Sequence, residues 1–177
     1  MRIMGAQEMG HTISRIAHEI LERNAQSLTE GNLALVGIKR RGVPLAQRLA
    51  RELKKINAGE ILLGEMDITL YRDDLQLVAE APIIRDSRID FDLKGKVVVL
   101  VDDVLFTGRT VRAAISQLLD FGRPAAIQLA VLIDRGHREL PIAADYVGKL
   151  VQTERADLVD IKVKEEDGED GVYLTKK

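Results

Sequence analysis

Three observations predict an α/β fold with a central, mostly parallel sheet flanked by helices. Apolar runs of strand length alternate with helical periodicity along the whole chain. The runs Leu33–Ile38, Val97–Val101 and Ala126–Ile133 are close to continuously apolar, as in strands covered on both faces. The first two lead through polar turns into helical patterns, as strand–helix units of a parallel sheet do. No repeat, low-complexity tract or linker breaks the alternation, so residues 1–177 are expected to form a single domain.

Composition narrows the class. The chain has 177 residues, 46% hydrophobic and 31% charged, values of a globular protein with a substantial core. With no cysteine, disulfides, thiol catalysis and Cys-ligated zinc are excluded. No long uncharged apolar run and no signal-peptide pattern occurs, so a cytoplasmic protein without membrane insertion is expected. The net charge of −2 gives no global field for nucleic acid. Charge is nevertheless unevenly spread: the first third is basic and the stretch from Glu165 to Asp170 acidic, so an RNA site must be a local patch.

Taken in order, Ile13, Ile16, Ala17, Ile20 and Leu21 recur at helical spacing and predict a first helix over Gln7–Asn24. Its other side carries His11, Ser14, Arg15 and His18 on one polar face, either a solvated surface or a contact face for nucleic acid. Leu33–Ile38 is the next strand. It ends in Lys39–Arg40–Arg41–Gly42, and Pro44 suits the first turn of a helix whose apolar face is Leu45, Ala46, Leu49, Ala50 and Leu53. Three cations between a strand end and a helix start form an anion site, unless they are merely solvated loop charges. Ile61–Leu70 contains a strand. A polar excursion from about residue 71 to 91 then has the length of a lid or binding element, a β-ribbon being one form it can take.

Val97–Val101 is a buried strand, followed by Asp102–Asp103, by Val104–Leu105–Phe106, and by Thr107–Gly108–Arg109–Thr110. Val111, Ala114, Ile115 and Leu118 then share one helical face. Ligands of open α/β sheets bind beyond the carboxyl ends of strands. A turn into a helix N-terminus favours phosphate. Paired acids beside a phosphate cradle call for a ligand that also carries hydroxyls or a cation, and a sugar phosphate fits. Helix capping and a magnesium–phosphate hydrolase site are the rival readings of the pair. The second is disfavoured because no Gly-x-x-x-x-Gly-Lys-Ser/Thr loop exists. Gly122 and Pro124 stop the helix. Ala126–Ile133 is the next strand, with the polar loop Asp134–Arg138 at its end. Tyr146–Val151, Leu158–Val163 and a segment around Val172–Leu174 complete the strands, and Glu165–Gly171 reads as a solvated turn.

Strand, Asp–Asp, an aromatic and Thr–Gly–Arg–Thr resemble the phosphoribosyl pyrophosphate (PRPP) signature of type I phosphoribosyltransferases. The flanks Asp67–Asp74 and Val131–Pro141 resemble the bacterial pyrimidine-operon attenuation regulators, which bind RNA and are also uracil phosphoribosyltransferases. The resemblance runs from about Ile13 to the acidic tail. Arg40, where the family has a small hydroxyl residue, and Leu150–Gln152, where it has Asn and Pro, depart from it.

What the resemblance implies is a type I phosphoribosyltransferase fold with a flexible lid. Lys39, Arg40, Arg41 and the segment Asp102 to Thr110 would bind PRPP or a uridine nucleotide (UMP or UTP). The loop at Lys39–Arg41 often holds a non-proline cis peptide in that family. Asp102, Asp103, Arg41 and the lid's Arg72 would be the catalytic set, and Arg135 and Val159 would line the base pocket. Ser14, Arg15, His18, Arg23, Arg40, His137 and Arg138 would meet the mRNA leader. Magnesium would come with PRPP, close to Asp102 and Asp103, without a dedicated protein ligand set. Two functions follow: uracil plus PRPP giving UMP and pyrophosphate, and uridine-nucleotide-dependent RNA binding that promotes termination. The alternative is a transferase for uracil or another base without RNA regulation. A homodimer is expected, with its pairing into a tetramer left open.

Overall fold

The computed structural model describes residues 1–56, 59–69 and 87–177. The elements are β1 (Arg2–Gly5), α1 (Ala6–Arg23), α2 (Ala25–Thr29), β2 (Leu33–Ile38), α3 (Gly42–Ile56), β3 (Leu62–Met66), β4 (Val97–Leu105), α4 (Arg109–Phe121), β5 (Ala126–Asp134), β6 (Tyr146–Leu150), β7 (Leu158–Lys162), α5 (Lys164–Asp167) and β8 (Gly171–Thr175). Five strands form an all-parallel sheet in the order β3-β2-β4-β5-β6. Such a sheet must be covered on both faces, and alternate residues of β4 show how. Val99 and Val101 join Ile13, Ile16, Leu45 and Leu49 from α1 and α3 in one core. Val98 and Leu100 join Val111, Ala114 and Leu118 from α4 in the other.

The remaining strands make a separate antiparallel sheet, β1-β8-β7, a hood over the α1–α3 side. Ile161, Val163 and Val172 fuse the hood to the α1–α3 core. The expected strands over Leu158–Val163 and Val172–Leu174 are therefore present, but they lie outside the main sheet. Their partner β1 has no signature of its own. At four residues, Arg2–Gly5 is too short to show a period, and tertiary pairing decides it.

Two further expectations are corrected. β4 does not end at Val101: it stays paired with β5 through Leu105, with Asp102 opposite Val131 and Val104 opposite Ile133. The acidic pair thus sits within the strand's last turns rather than beyond them. Glu165–Gly171 is exposed through Glu169, as expected, but it is more than a turn. It contains part of α5 and is fastened to α3, because Arg48 reaches both Glu165 and Asp170 and Arg41 reaches Asp167.

The C-terminus of α1 is locked by a buried polar cluster. The Asn24 amide donates to Ile20 O, Gln128 Oε1 and the Tyr146 hydroxyl, and Gln128 Nε2 returns a bond to Asn24 Oδ1. With each of these donors paired, the cluster fixes α1 against β5 and β6 without leaving an amide orphaned. No helix among the described residues is long and apolar enough to cross a membrane.

Candidate active site

The C-terminal ends of β2, β4 and β5 bring three loops together. The first follows β2, where the Lys39–Arg40 peptide is cis. Gly42, at the start of α3, lies directly on β4. A Cβ there would sit 2.3 Å from Val101 O and 3.3 Å from Asp102 Cα, so only glycine lets the basic loop approach the acidic pair this closely.

Asp102 is buried and Asp103 half-buried. Asp102 Oδ1 accepts the Asp103 N–H at 2.9 Å and Asp103 Oδ1 accepts the Val104 N–H at 2.8 Å. Burial first, and then the neighbouring charge of Asp103, push the Asp102 carboxyl well above its ordinary value. Burial also raises Asp103, against the opposing pull of Asp102's hydrogen bond and the Arg41 guanidinium. Two adjacent carboxyls held this way are short of positive charge, which a ligand bearing a cation or a developing cation would supply.

The turn after β4 is built for an anion. Gly108 has φ 92° and precedes α4, whose first intrahelical bond runs from Arg112 N–H to Gly108 O at 2.9 Å. The preceding N–H groups therefore open toward the loop. One of them, Arg109 N–H, leans on Thr107 Oγ1 at 3.3 Å. The turn's carbonyls face the other way, into the loop after β5. Phe106 O accepts from Arg138 Nη1, and Thr107 O accepts from the Glu139 N–H. Glu139 further holds Arg109 Nε at 2.7 Å and the Arg155 guanidinium, so it ties the turn after β4 to the β6–β7 connection.

The residues predicted for the base pocket divide. Arg135 is buried with its guanidinium 4.1 Å from the Phe106 ring centroid, and Nη2 donates to Glu154 O at 3.0 Å. Its Nε is buried without a partner among the described residues, and burial lowers its pKa. Val159 lies on β7 in the hood, packed against the α1–α3 core. Arg72 lies outside the described residues. The flanks of its loop run side by side: Glu65 and Arg88 exchange backbone bonds at 2.9 and 2.8 Å, and Asp67 N–H donates to Ser87 Oγ.

The predicted RNA residues fall into three places. On α1, His18 Nδ1 donates to Ser14 O, Arg15 Nη2 donates to Val147 O and Gly148 O, and Arg23 pairs with Asp145 while lying over Tyr146. All of these α1 side chains but Ser14 are exposed. In the loop after β5, His137 (φ 62°) bonds Thr153 O and meets Phe106 edge-on. Arg138 bonds Asp134, Phe106 O and Ile142 O, a buttress for the turn after β4. Arg40 is 82% exposed and faces Glu166 at 3.5 Å, so it belongs with the basic loop and the C-terminal turn. Sequence reasoning missed Glu139 and the anchoring acids of the tail, although the opposed charges of first third and tail were a signal for the latter.

Arg41 and a backbone N–H hold the Asp167 carboxyl down to about 2. Glu165 and Asp170 are lowered as well by Arg48, against burial. Their folded values lie below the unfolded ones, so this stabilisation is complete only above about pH 5 and disappears as pH falls toward 2. Hydrogen exchange across that window should show β7 and β8 losing protection before β2 and β4. Simultaneous loss in both sheets would contradict this.

A phosphoribosyl transferase domain model matches residues 5–165, and the chain belongs to that family of transferases. Solved structures agree in fold: the hypoxanthine phosphoribosyltransferase of Trypanosoma cruzi superposes with TM-score 0.76 at 19% identity, covering 99% of this chain and 91% of that one. A Staphylococcus aureus hypoxanthine phosphoribosyltransferase gives TM-score 0.63 at 21% identity over 87% and 79% of the two chains. Within the class, the chain groups with the bifunctional PyrR proteins. It is 53% identical to the one from Elusimicrobium minutum, over 99% of this chain and 96% of the relative. It is 58% identical to the one from Thermus aquaticus, over 99% and 95%.

Proposed function

We propose that this chain transfers the phosphoribosyl group of PRPP to uracil, giving UMP and pyrophosphate. In its second role it binds pyrimidine-operon leader RNA when a uridine nucleotide fills the same site, and so promotes transcription termination. The observation that carries the first role is the Asp102–Asp103 pair set between a basic loop and an anion-binding turn. The second role rests on 53% and 58% identity over nearly the whole chain to proteins named bifunctional, together with the exposed cations and histidine of α1.

The N–H groups at the head of α4 and the Thr107 and Thr110 hydroxyls hold the 5-phosphate. Asp102 and Asp103 accept hydrogen bonds from the ribose diol and stabilise positive charge as the anomeric carbon parts from pyrophosphate. Lys39, Arg40 and Arg41 surround the departing pyrophosphate, and Arg72, outside the described residues, is assigned to the same group by its resemblance alone. Arg135 and Val159 bound the space for uracil. The chain supplies position and field, and no covalent nucleophile is needed. Magnesium would fit this donor set: two adjacent carboxyls suit a divalent ion, and PRPP oxygens would complete its shell. When bound, the ion neutralises charge on the pyrophosphate.

Incubation with labelled uracil, hypoxanthine or orotate, PRPP and magnesium tests the first role, and UMP from uracil alone is the expected product. For the second, His18→Ala with Arg23→Ala should weaken leader RNA binding by roughly ten- to a hundredfold at fixed salt and flatten its salt dependence. Transferase activity should change little. Equal RNA affinity across a salt series would remove α1 from the interface. A homodimer doubles the α1 patch available to one hairpin.

A further inference from the structure

Outside the site assigned above, the acidic turn after β7 closes on the start of α3. We propose that Asp167 is a positioning residue for pyrophosphate: it grips the Arg41 guanidinium on one edge and leaves the other edge for the leaving group. The inference rests on reading the Lys39–Arg41 loop as the pyrophosphate site.

Arg41 Nε donates to Asp167 Oδ2 at 3.0 Å and Nη2 donates to Oδ1 at 2.9 Å. A guanidinium held side-on keeps Nη1 and the outward hydrogen of Nη2 for a further acceptor, in the fork geometry that suits phosphoryl oxygens. Asp167 is itself fixed. Its Oδ2 also accepts the Val163 N–H at 2.9 Å, and its own N–H bonds Val163 O at 2.7 Å. Arg41 also lies within electrostatic reach of Asp103, so each charge favours the other.

Docking of the turn does not depend on this contact. Arg48, farther along α3, bonds Glu165 Oε1 at 2.9 Å and both oxygens of Asp170 at 2.7 and 3.1 Å. The Asp167–Arg41 pair is therefore available to orient one side chain, and an arginine oriented before binding loses less rotamer freedom when the anion arrives.

The test is calorimetric titration with magnesium pyrophosphate and, separately, with UMP. Asp167→Asn should weaken pyrophosphate about tenfold and leave UMP affinity within about twofold, because the 5-phosphate turn is elsewhere. Arg41→Lys keeps the charge but lacks the fork, so it should show a similar loss, and the double variant should be no worse than either single one. Unchanged or tighter pyrophosphate binding in Asp167→Asn would overturn the inference, as would a parallel fall in UMP affinity, the mark of a structural role alone. A wild-type protein that fails to bind pyrophosphate overturns it too. Binding of pyrophosphate without UMP formation from uracil counts only against the transferase reading.

Discussion

Exchanging Asp102 and Asp103 together for asparagine should abolish PRPP-dependent UMP formation, a loss of at least about a thousandfold, while the protein stays folded. On the proposed binding mode the ribose hydroxyls lose two carboxylate acceptors, and the sugar loses an acidic pair set where its positive charge would develop. Stability should move the other way. Both carboxyls are raised in the native state, chiefly by burial, so the native protein keeps protons that the unfolded chain has released. Their contribution to stability accordingly falls as pH rises above about 4. An asparagine has no such proton to lose, and its side-chain oxygen can still accept the Asp103 and Val104 N–H bonds. The double variant should therefore melt at or above the wild-type temperature at about pH 8, with the advantage fading toward pH 4. Scanning calorimetry without nucleotide reads this directly, since a ligand would stabilise the wild type alone. Retained turnover would defeat the ribose assignment, and a large drop in melting temperature at pH 8 would defeat the account of the buried pair.

This opposition between stability and function explains which parts of the molecule were legible in the sequence. The β4 strand and the turn after it announce themselves locally: a β-branched run, two acids against an apolar background, and a glycine that must adopt positive φ at Gly108. The α1 and α3 faces were equally plain, because their apolar residues keep helical period and pack as that period requires. β1 was invisible, since its pairing with β8 joins the two ends of the chain and leaves no local trace. The anchoring of the tail leaves no local trace for the same reason. A run of Glu and Asp looks solvated until Arg41 and Arg48 are brought beside it, and only tertiary structure does that. At Arg138 the sequence shows an exposed-looking cation in a polar loop, whereas the fold spends its donors on Asp134 and on the carbonyls of Phe106 and Ile142.

Gly42→Ala should cause a large loss of stability. The new Cβ would fall 2.3 Å from Val101 O, a backbone atom that cannot swing aside, and 3.3 Å from Asp102 Cα. Nor can the loop retreat toward β2, because a Cβ on Gly37 would itself meet Gly42 O at 2.6 Å; strand end and helix start are already in contact there. Relief must come from lifting the N-terminus of α3 off β4, which opens the packing of Leu45 and Leu49 against Val101. Overpacking of this kind costs on the order of 3 kcal/mol, or roughly 6–12 °C in melting temperature for a chain of this size. The same displacement carries Lys39, Arg40 and Arg41 away from Asp102 and Asp103, so PRPP affinity should fall along with stability. UMP, whose phosphate is proposed to bind at the head of α4, should lose less. Thermal denaturation checks the first effect and titration with PRPP and UMP the second. A variant that melts like the wild type would mean that α3 can shift freely on β4, and the close approach of the basic loop to the acidic pair would then not be enforced by the fold.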